Sequence, residues 1–382
     1  MCTHEGTRVG DHHTTEAADP AAAPRLRVAV SMLSLVPGGM GGSETYAREL
    51  VRELAGSSRV AAEAWVARIG TGFAAEVPEH VVAGVTGGAT TSARLVTLAQ
   101  ARRHRERIRR DLAAADVVHF PFTAPVPWPS GGTAFTISLL DVQHLDLPHL
   151  FSHAERLYRR RYYDHAARRA DSVVTISAFA KQSIVDRLGI DPDRISVAHL
   201  GVDSSAFTPN LGERERFVVY PARGWPHKNH ARLVEAVRLL RKDSPDLRLV
   251  LTGGGLDRLG PLPDWVDVRG LVPPAELREL YRTAACLVFP SLYEGFGLPP
   301  LEAMASGCPV AASDAGSLPE VCGDAAVLVD ARDPAAIAEG TARAIERGTE
   351  LQLRGLEQAR SFTWARCAVA HEDAYLAAAR RR

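Results

Sequence analysis

The sequence predicts an α/β protein of two doubly wound units, each a parallel sheet flanked by helices. Three observations carry that expectation. At 382 residues the chain exceeds what one hydrophobic core usually supports, so two domains are expected. Continuous apolar runs, such as LRVAVSMLSL from Leu26 and ACLVF from Ala285, read as strands buried on both faces. These runs alternate with helical stretches, often through a glycine turn, as βαβ units require.

Residues 1–24 are polar, with three His and an Ala/Pro tail, and are expected to be disordered. A first domain is expected over 25–203, a second over 204–361, and a terminal helix over 362–382 that packs back on the first. The opening strand runs through VPGGMGGSE into a helix from Thr45 to Leu54, the start of a Rossmann-type unit. Gly38, Gly39, Gly41 and Gly42 lack G-x-G-x-x-G spacing, which argues against an NAD site. A second strand is expected over Ala61–Ala67, a helix over Ala93–Ala114 and a strand over Asp116–Phe120. The strand TAFTISLL then delivers Asp141 and His144, three residues apart, as an acid/base-capable pair beside a cleft. An arginine-dense helix over Ala154–Arg169, a strand over Asp171–Ser177 and a helix capped by Ser177 complete the first half.

In the second half a strand, Phe217–Pro221, precedes a loop carrying Arg223 and Lys228, just before a helix from Ala231. A guanidinium fork and an ammonium beside a helix N-terminus make a diphosphate clamp. His227 and His230 flank Lys228; a metal site there is possible in principle, but the two cations make a metal unnecessary. The strand Leu247–Gly255 ends in a glycine turn, with Gly253, expected to pass under the bound anion. In VFPSLYEGFGLPPLEAMASGCP a strand ends at Pro290 and a helix opens at the Pro299–Pro300 pair, because proline tolerates the first helical turn. Its N-terminus favours an anion. Glu294 in the loop and Glu302, placed in the first helical turn, flank it with seven residues between them. Carboxylates accept hydrogen bonds from diols. An anion between two polyol-binding acids describes a sugar nucleotide.

The E-x7-E pattern with Gly295, Phe296 and Gly297 inside it resembles the signature of the retaining glycosyltransferases of family 4, built on the two-domain GT-B fold. The resemblance spans about Leu26–Leu376 and is strongest over Tyr220–Asp330. It implies that Glu294 contacts donor-sugar hydroxyls, that Glu302 holds the ribose, and that the backbone of Gly295–Gly297, with Leu298, lies against sugar and diphosphate. Arg223 and Lys228 match the family's pyrophosphate pair. Gly41 and Gly42 match a glycine loop that approaches the donor across the cleft, and Leu271 and Val272 match a segment that meets the base. Glu320 matches a frequent acid of structural rather than catalytic role. Asp141 matches a His-Asp pair, but the His position is Leu140. An apolar side chain there suits a 6-deoxy sugar; a packing change, with His144 in a related role, is the other reading. The resemblance implies transfer of a glycosyl group from a UDP-, GDP- or dTDP-sugar to an acceptor hydroxyl, with retention, no cofactor and no metal. Two other classes remain open: a nucleotide-sugar epimerase or hydrolase on the same fold, and a non-catalytic sugar-nucleotide scaffold.

Lys plus Arg equals Asp plus Glu at 45 each, so no net field calls for nucleic acid. Arg102–Arg110 and Arg156–Arg169 are solvated helix faces or a basic surface for peripheral membrane contact. Five cysteines without C-x-x-C spacing, no signal-peptide core and no apolar run near ~18 residues lead to the expectation of a cytoplasmic protein with reduced thiols.

Overall fold

A computed structural model describes residues 24–88 and 90–382. The expected disordered tail, Pro24 apart, lies outside the described residues, as does Cys2. The first seven strands are β1 (Leu26–Met32), β2 (Val60–Val66), β3 (Glu79–Val81), β4 (Val117–Phe120), β5 (Ala134–Ser138), β6 (Ser172–Thr175) and β7 (Ile195–Val197). They form one parallel sheet in the order β3-β2-β1-β4-β5-β6-β7. The next six are β8 (Glu215–Pro221), β9 (Arg248–Thr252), β10 (Val266–Gly270), β11 (Ala284–Phe289), β12 (Val310–Ser313) and β13 (Val327–Val329). These pair in parallel in the order β10-β9-β8-β11-β12-β13. Counted from its own first strand, each sheet follows the doubly wound Rossmann order, and the strand order reverses between β1 and β4 and between β8 and β11. The apolar runs make this arrangement: all of β5 and β12, and β11 beyond its second residue, are buried, as strands with helices on both faces must be.

The helices of the first half are α1 (Gly42–Ala55), α2 (Thr91–Arg103), α3 (Arg105–Leu112), α4 (Gln143–Asp146), α5 (His153–Arg159), α6 (His165–Arg169) and α7 (Ala178–Leu188). Those that follow are α8 (His230–Leu240), α9 (Pro274–Thr283), α10 (Leu298–Ala305), α11 (Leu318–Cys322), α12 (Pro334–Glu346), α13 (Gly348–Ser361) and α14 (Trp364–Arg380). Ser177 caps α7 by accepting from the Ala180 N–H at 3.0 Å. The helix expected over Ala93–Ala114 is instead two, broken at His104. The arginine-dense helix is interrupted by a π-helical turn over Arg160–Asp164. α13 occupies a stretch for which the sequence carried no expectation. The four described cysteines are free and buried. No helix of the described residues is long and apolar enough to cross a membrane.

α14 crosses back to the first sheet and packs on α1, β5 and β6. The two crossings between the units are joined: the Val202 N–H donates to the Phe362 carbonyl at 3.1 Å, and a Cβ on Gly201 would fall 2.2 Å from the Trp364 nitrogen. A buried polar chain anchors the returning helix. His371 Nδ1 lies 2.8 Å from the Cys367 carbonyl and so carries the proton, which leaves Nε2 to accept from Tyr46 Oη at 2.6 Å. Tyr46 then accepts from Ser138 (2.6 Å), Ser138 from His119 Nε2 (2.8 Å), and His119 Nδ1 from Tyr375 (2.8 Å). Every donor is used once only if both imidazoles are neutral. Burial pushes His371 down to about 4 and His119 well below its usual value. The unfolded chain therefore binds more protons than the native one from pH 6.5 down to about 4, so stability falls as pH falls through that window. Tm measured between pH 7 and 4 should decline, and His371→Gln should flatten part of the slope. An unchanged slope in that variant would remove His371 as the cause.

Candidate active site

The β1–β4 switch point and the loop after β8 open onto one cleft of about 610 Å³, a size suited to a small-molecule ligand; of the expected site residues Asp141 lines it, and Arg223, Lys228, Glu294 and Glu302 stand outside its wall. The first unit supplies Met40 and Ser43 after β1, Phe122 and Thr123 after β4, and Leu140 and Asp141 after β5; the second supplies Trp225, His227 and Arg258. A separate hollow of about 490 Å³ on the second unit, beside Arg214 and Gln352, contains none of the expected site residues.

Arg223 and Lys228 follow β8, and Glu294 follows β11, so the carboxyl ends of two adjacent strands bring them together. Lys228 Nζ lies 2.5 Å from Glu294 Oε1, with both side chains 13% exposed. Asn229, in the left-handed region at φ 63°, donates its amide to the carbonyls of Pro290 (3.0 Å) and Ala331 (2.7 Å), fixing the loop behind Lys228. Arg223 lies over the Trp225 ring at 5.4 Å. Gly253 supports it from below: a Cβ there would fall 2.4 Å from the Ala222 carbonyl, so the glycine turn packs on the clamp loop itself.

Across the cleft, Gly41 has φ 58° and ψ −133°, a glycine conformation, and a Cβ on it would sit 3.7 Å from Arg223 Nη2. A Cβ on Gly42 would meet Leu298 Cδ1 at 3.8 Å. The Gly38 N–H donates to both oxygens of Glu44 (3.0 and 2.8 Å), which closes the glycine loop. The loop thus presses on the clamp and on the first residue of α10, whose opening turn has prolines at 299 and 300 and so presents the Leu298 N–H and the positive end of the helix dipole. Gly295 stands against Asp141, with the Asp141 Cβ 3.3 Å from where its own would be. Ser177 Oγ donates to the Gly295 carbonyl at 2.7 Å. Burial raises Asp141, with the Glu294 charge adding to it, while the Gln143 N–H and the Arg159 charge oppose the rise.

Several expectations need correction. Glu302 is the fifth residue of α10, in its second turn rather than its first. It accepts from Tyr281 Oη at 3.0 Å, and burial raises its carboxyl above the usual range. His144 does not join Asp141 in the cleft: its imidazole is buried and bonded through Nε2 to Asp164 at 2.9 Å, because the short α4 turns it inward. The Phe296 side chain is buried against Phe362 (5.7 Å) and His199 (6.2 Å), leaving only backbone for a ligand. Leu271 is 80% exposed, close to Gly254, and Val272 is half-buried beside it. Among the described residues no group of three or more His, Cys, Asp and Glu gathers as a metal site. His227 and His230 are both buried and held down to about 4, chiefly by that burial.

Sequence reasoning missed the residues that hold the carboxylates. Ser317 Oγ donates to the carbonyls of Glu294 (3.0 Å) and Phe296 (2.6 Å), and a Cβ on Gly316 would lie 2.7 Å from the Glu294 carbonyl. Tyr281 stands twenty-one residues before its partner Glu302. None of these has a local signature. Glu320 joins the units: its oxygens accept from the Ala178 and Phe179 N–H groups at the start of α7 (2.8 and 3.2 Å), and His199 Nε2 lies 2.5 Å away.

A profile described as Glycosyltransferase Family 4 matches residues 40–206, and one described as Glycosyl transferases group 1 matches 203–362. The O-antigen chain mannosyltransferase B of Escherichia coli is 32% identical over 230 residues, covering 54% of this chain and 60% of that protein. The chain spans about half to 60% of the length of the curated relatives it matches. Sucrose-phosphate synthase from Thermosynechococcus elongatus superposes with a TM-score of 0.73 at 18% identity, covering 92% of this chain and 98% of that one. Anabaena HepE, solved with UDP and glucose, gives 0.68 at 16% identity, covering 91% and 99%. Two parallel sheets in Rossmann order, a cleft lined by residues of both units and two family profiles that together run from 40 to 362 lead to one conclusion: the chain belongs to the group 1, family 4 glycosyltransferases and has the GT-B fold.

Proposed function

We propose that this protein is a retaining glycosyltransferase that moves a sugar from a nucleotide-sugar donor to an acceptor hydroxyl. The observation that carries the reading is the convergence of Arg223, Lys228, Glu294 and the start of α10 at the β8–β11 switch point. Breaking the anomeric C–O bond puts oxocarbenium character on the sugar and negative charge on the diphosphate. Arg223, Lys228 and the α10 N-terminus stabilise that charge in a closed, low-dielectric site. Lys228 is shared: its partner Glu294 orients the sugar while the ammonium turns to the phosphate. Glu302 takes the ribose diol and Gly41–Gly42 closes over the donor. Asp141 stands where sugar and acceptor meet, and the leaving phosphate assists removal of the acceptor proton on the same face.

The donor is a UDP-, GDP- or dTDP-sugar. The structural neighbour solved with UDP and the relative named a mannosyltransferase both support a hexose nucleotide. Leu140 lines the cleft and suits a 6-deoxy sugar. The enzyme works in the cytoplasm, and the exposed arginines of α3 support peripheral membrane contact. A thermal-shift panel of these nucleotide sugars is the test: selective binding abolished by Arg223→Ala supports the reading, and no binding of any member overturns it.

Glu302 gives a second test. Its raised carboxyl means that the native state holds the proton more tightly than the unfolded chain, so its contribution to stability is lost as pH rises through the native value. Glu302→Gln keeps an acceptor for Tyr281 and removes the buried charge. At pH 7 it should raise Tm while weakening nucleotide-sugar binding about tenfold or more, the order expected for a charged hydrogen-bond pair. Lower Tm together with intact binding would contradict the assignment.

A further inference from the structure

Beside the cleft lies a pocket of about 140 Å³ lined by residues of the first unit alone. Its walls are mostly apolar, with Leu33, Leu35, Val36, Leu98 and Val126 (all but Leu98 buried in the core), while Ser34, Thr97, Tyr158 and Tyr163 bring hydroxyl groups. Its hydroxyl lining is partly spent, since Thr97 Oγ1 donates to the Ala93 carbonyl at 2.8 Å. The pocket adjoins the cleft, because Met40, Phe122 and Tyr163 line both. An apolar cavity of about 150 Å³ is large enough to bind benzene. A mostly apolar hollow beside a polar cleft suits the apolar end of a molecule whose polar end lies in the cleft.

We propose that this pocket is an acceptor subsite that takes an aromatic ring or a short branched alkyl group carried by the acceptor. The inference rests on the transferase reading and adds the acceptor's chemical class: an amphiphilic molecule with a compact apolar group, rather than a bare sugar. The hydroxyl to be glycosylated lies toward Asp141 and Leu140, and the apolar group passes Met40 and Tyr163 into the pocket. Burying a ring there removes apolar surface from water at both partners, a gain that a methyl group cannot match.

The probes are phenyl and methyl α-mannoside, titrated calorimetrically into the full chain with and without UDP. The phenyl compound should bind at least about tenfold more tightly, as burial of a ring implies. Ala124→Leu, which projects a larger side chain into the pocket, should abolish the preference while leaving the UDP affinity unchanged. Leu98→Ala, which enlarges it, should shift the preference toward a naphthyl glycoside and guards against misfolding of the first variant. Equal binding of phenyl and methyl compounds, with UDP still bound, overturns the subsite and leaves the transferase reading standing. A phenyl preference untouched by either variant places the ring elsewhere and also overturns it. Failure of UDP and of every nucleotide sugar to bind defeats the transferase reading, and with it the acceptor assignment.

Discussion

Replacing Lys228 with Ala should lower kcat by about two to three orders of magnitude, the loss expected when one preorganised donor to a developing charge is removed. The effect has two components that can be separated. The ammonium is a compact charge that we assign to the leaving diphosphate beside Arg223, which stacks over Trp225. Removing Lys228 also strands Glu294, because the pair is 2.5 Å apart and mostly buried. Breaking a fully buried pair costs about 3–5 kcal/mol, and this pair, slightly exposed, should cost somewhat less. Lys228→Ala should therefore lose both rate and Tm. The double variant Lys228→Met with Glu294→Gln removes both charges, so Tm should return while kcat stays low. If activity came back with stability, the clamp role of Lys228 would be wrong.

Gly316→Ala should cost about 100-fold in kcat, although Gly316 touches no substrate. Its φ of 65° disfavours any side chain, and a Cβ would lie 2.7 Å from the Glu294 carbonyl and 2.9 Å from its nitrogen. Those are backbone atoms, so relief must come from moving the residue that orients the sugar. A displacement of about 1 Å at a reacting centre is worth about that factor. Ser317→Ala, which removes two hydrogen bonds to the same loop, should produce a smaller loss. Steady-state kinetics and nucleotide titration distinguish the causes: kcat should fall while UDP affinity, which we assign to Arg223 and Glu302, changes little. A Gly316→Ala enzyme with normal kcat would show that the loop behind Glu294 is free to adjust.

The fold was legible because its strands are buried on both faces, and a continuous run such as LVF at Leu287–Phe289 has no other comfortable home. The three-residue edge strands β3 and β7 were not, being too short for a pattern and half-exposed at one or more positions. α13 escaped because it opens on Gly348, one residue past α12, where a glycine reads as the end of a helix rather than the start of another. At the site, Arg223 with Lys228 and Glu294 with Glu302 were readable since each pair sits within one loop-to-helix passage. His144 was misread because the chain leaves the strand direction and turns into α4 at Gln143, where the imidazole is buried on Asp164 instead of standing beside Asp141. Tyr281 reaches the Glu302 carboxylate, and Gly316 and Ser317 the backbone of Glu294, only through the third dimension, and no spacing in the chain announces them.

The stitched crossing between the units constrains how the enzyme can move. Both peptide segments that pass from one unit to the other are fastened at one place, where Val202 bonds to Phe362 and Gly201 lies against Trp364. That seam is not the only tie, since Glu320 accepts from the start of α7 and Ser177 donates to the Gly295 carbonyl across the same boundary. Any rotation of the units about Gly201 has to break those three bonds, so the packing of one glycine and a small set of side-chain hydrogen bonds share the load that keeps the two sheets in register.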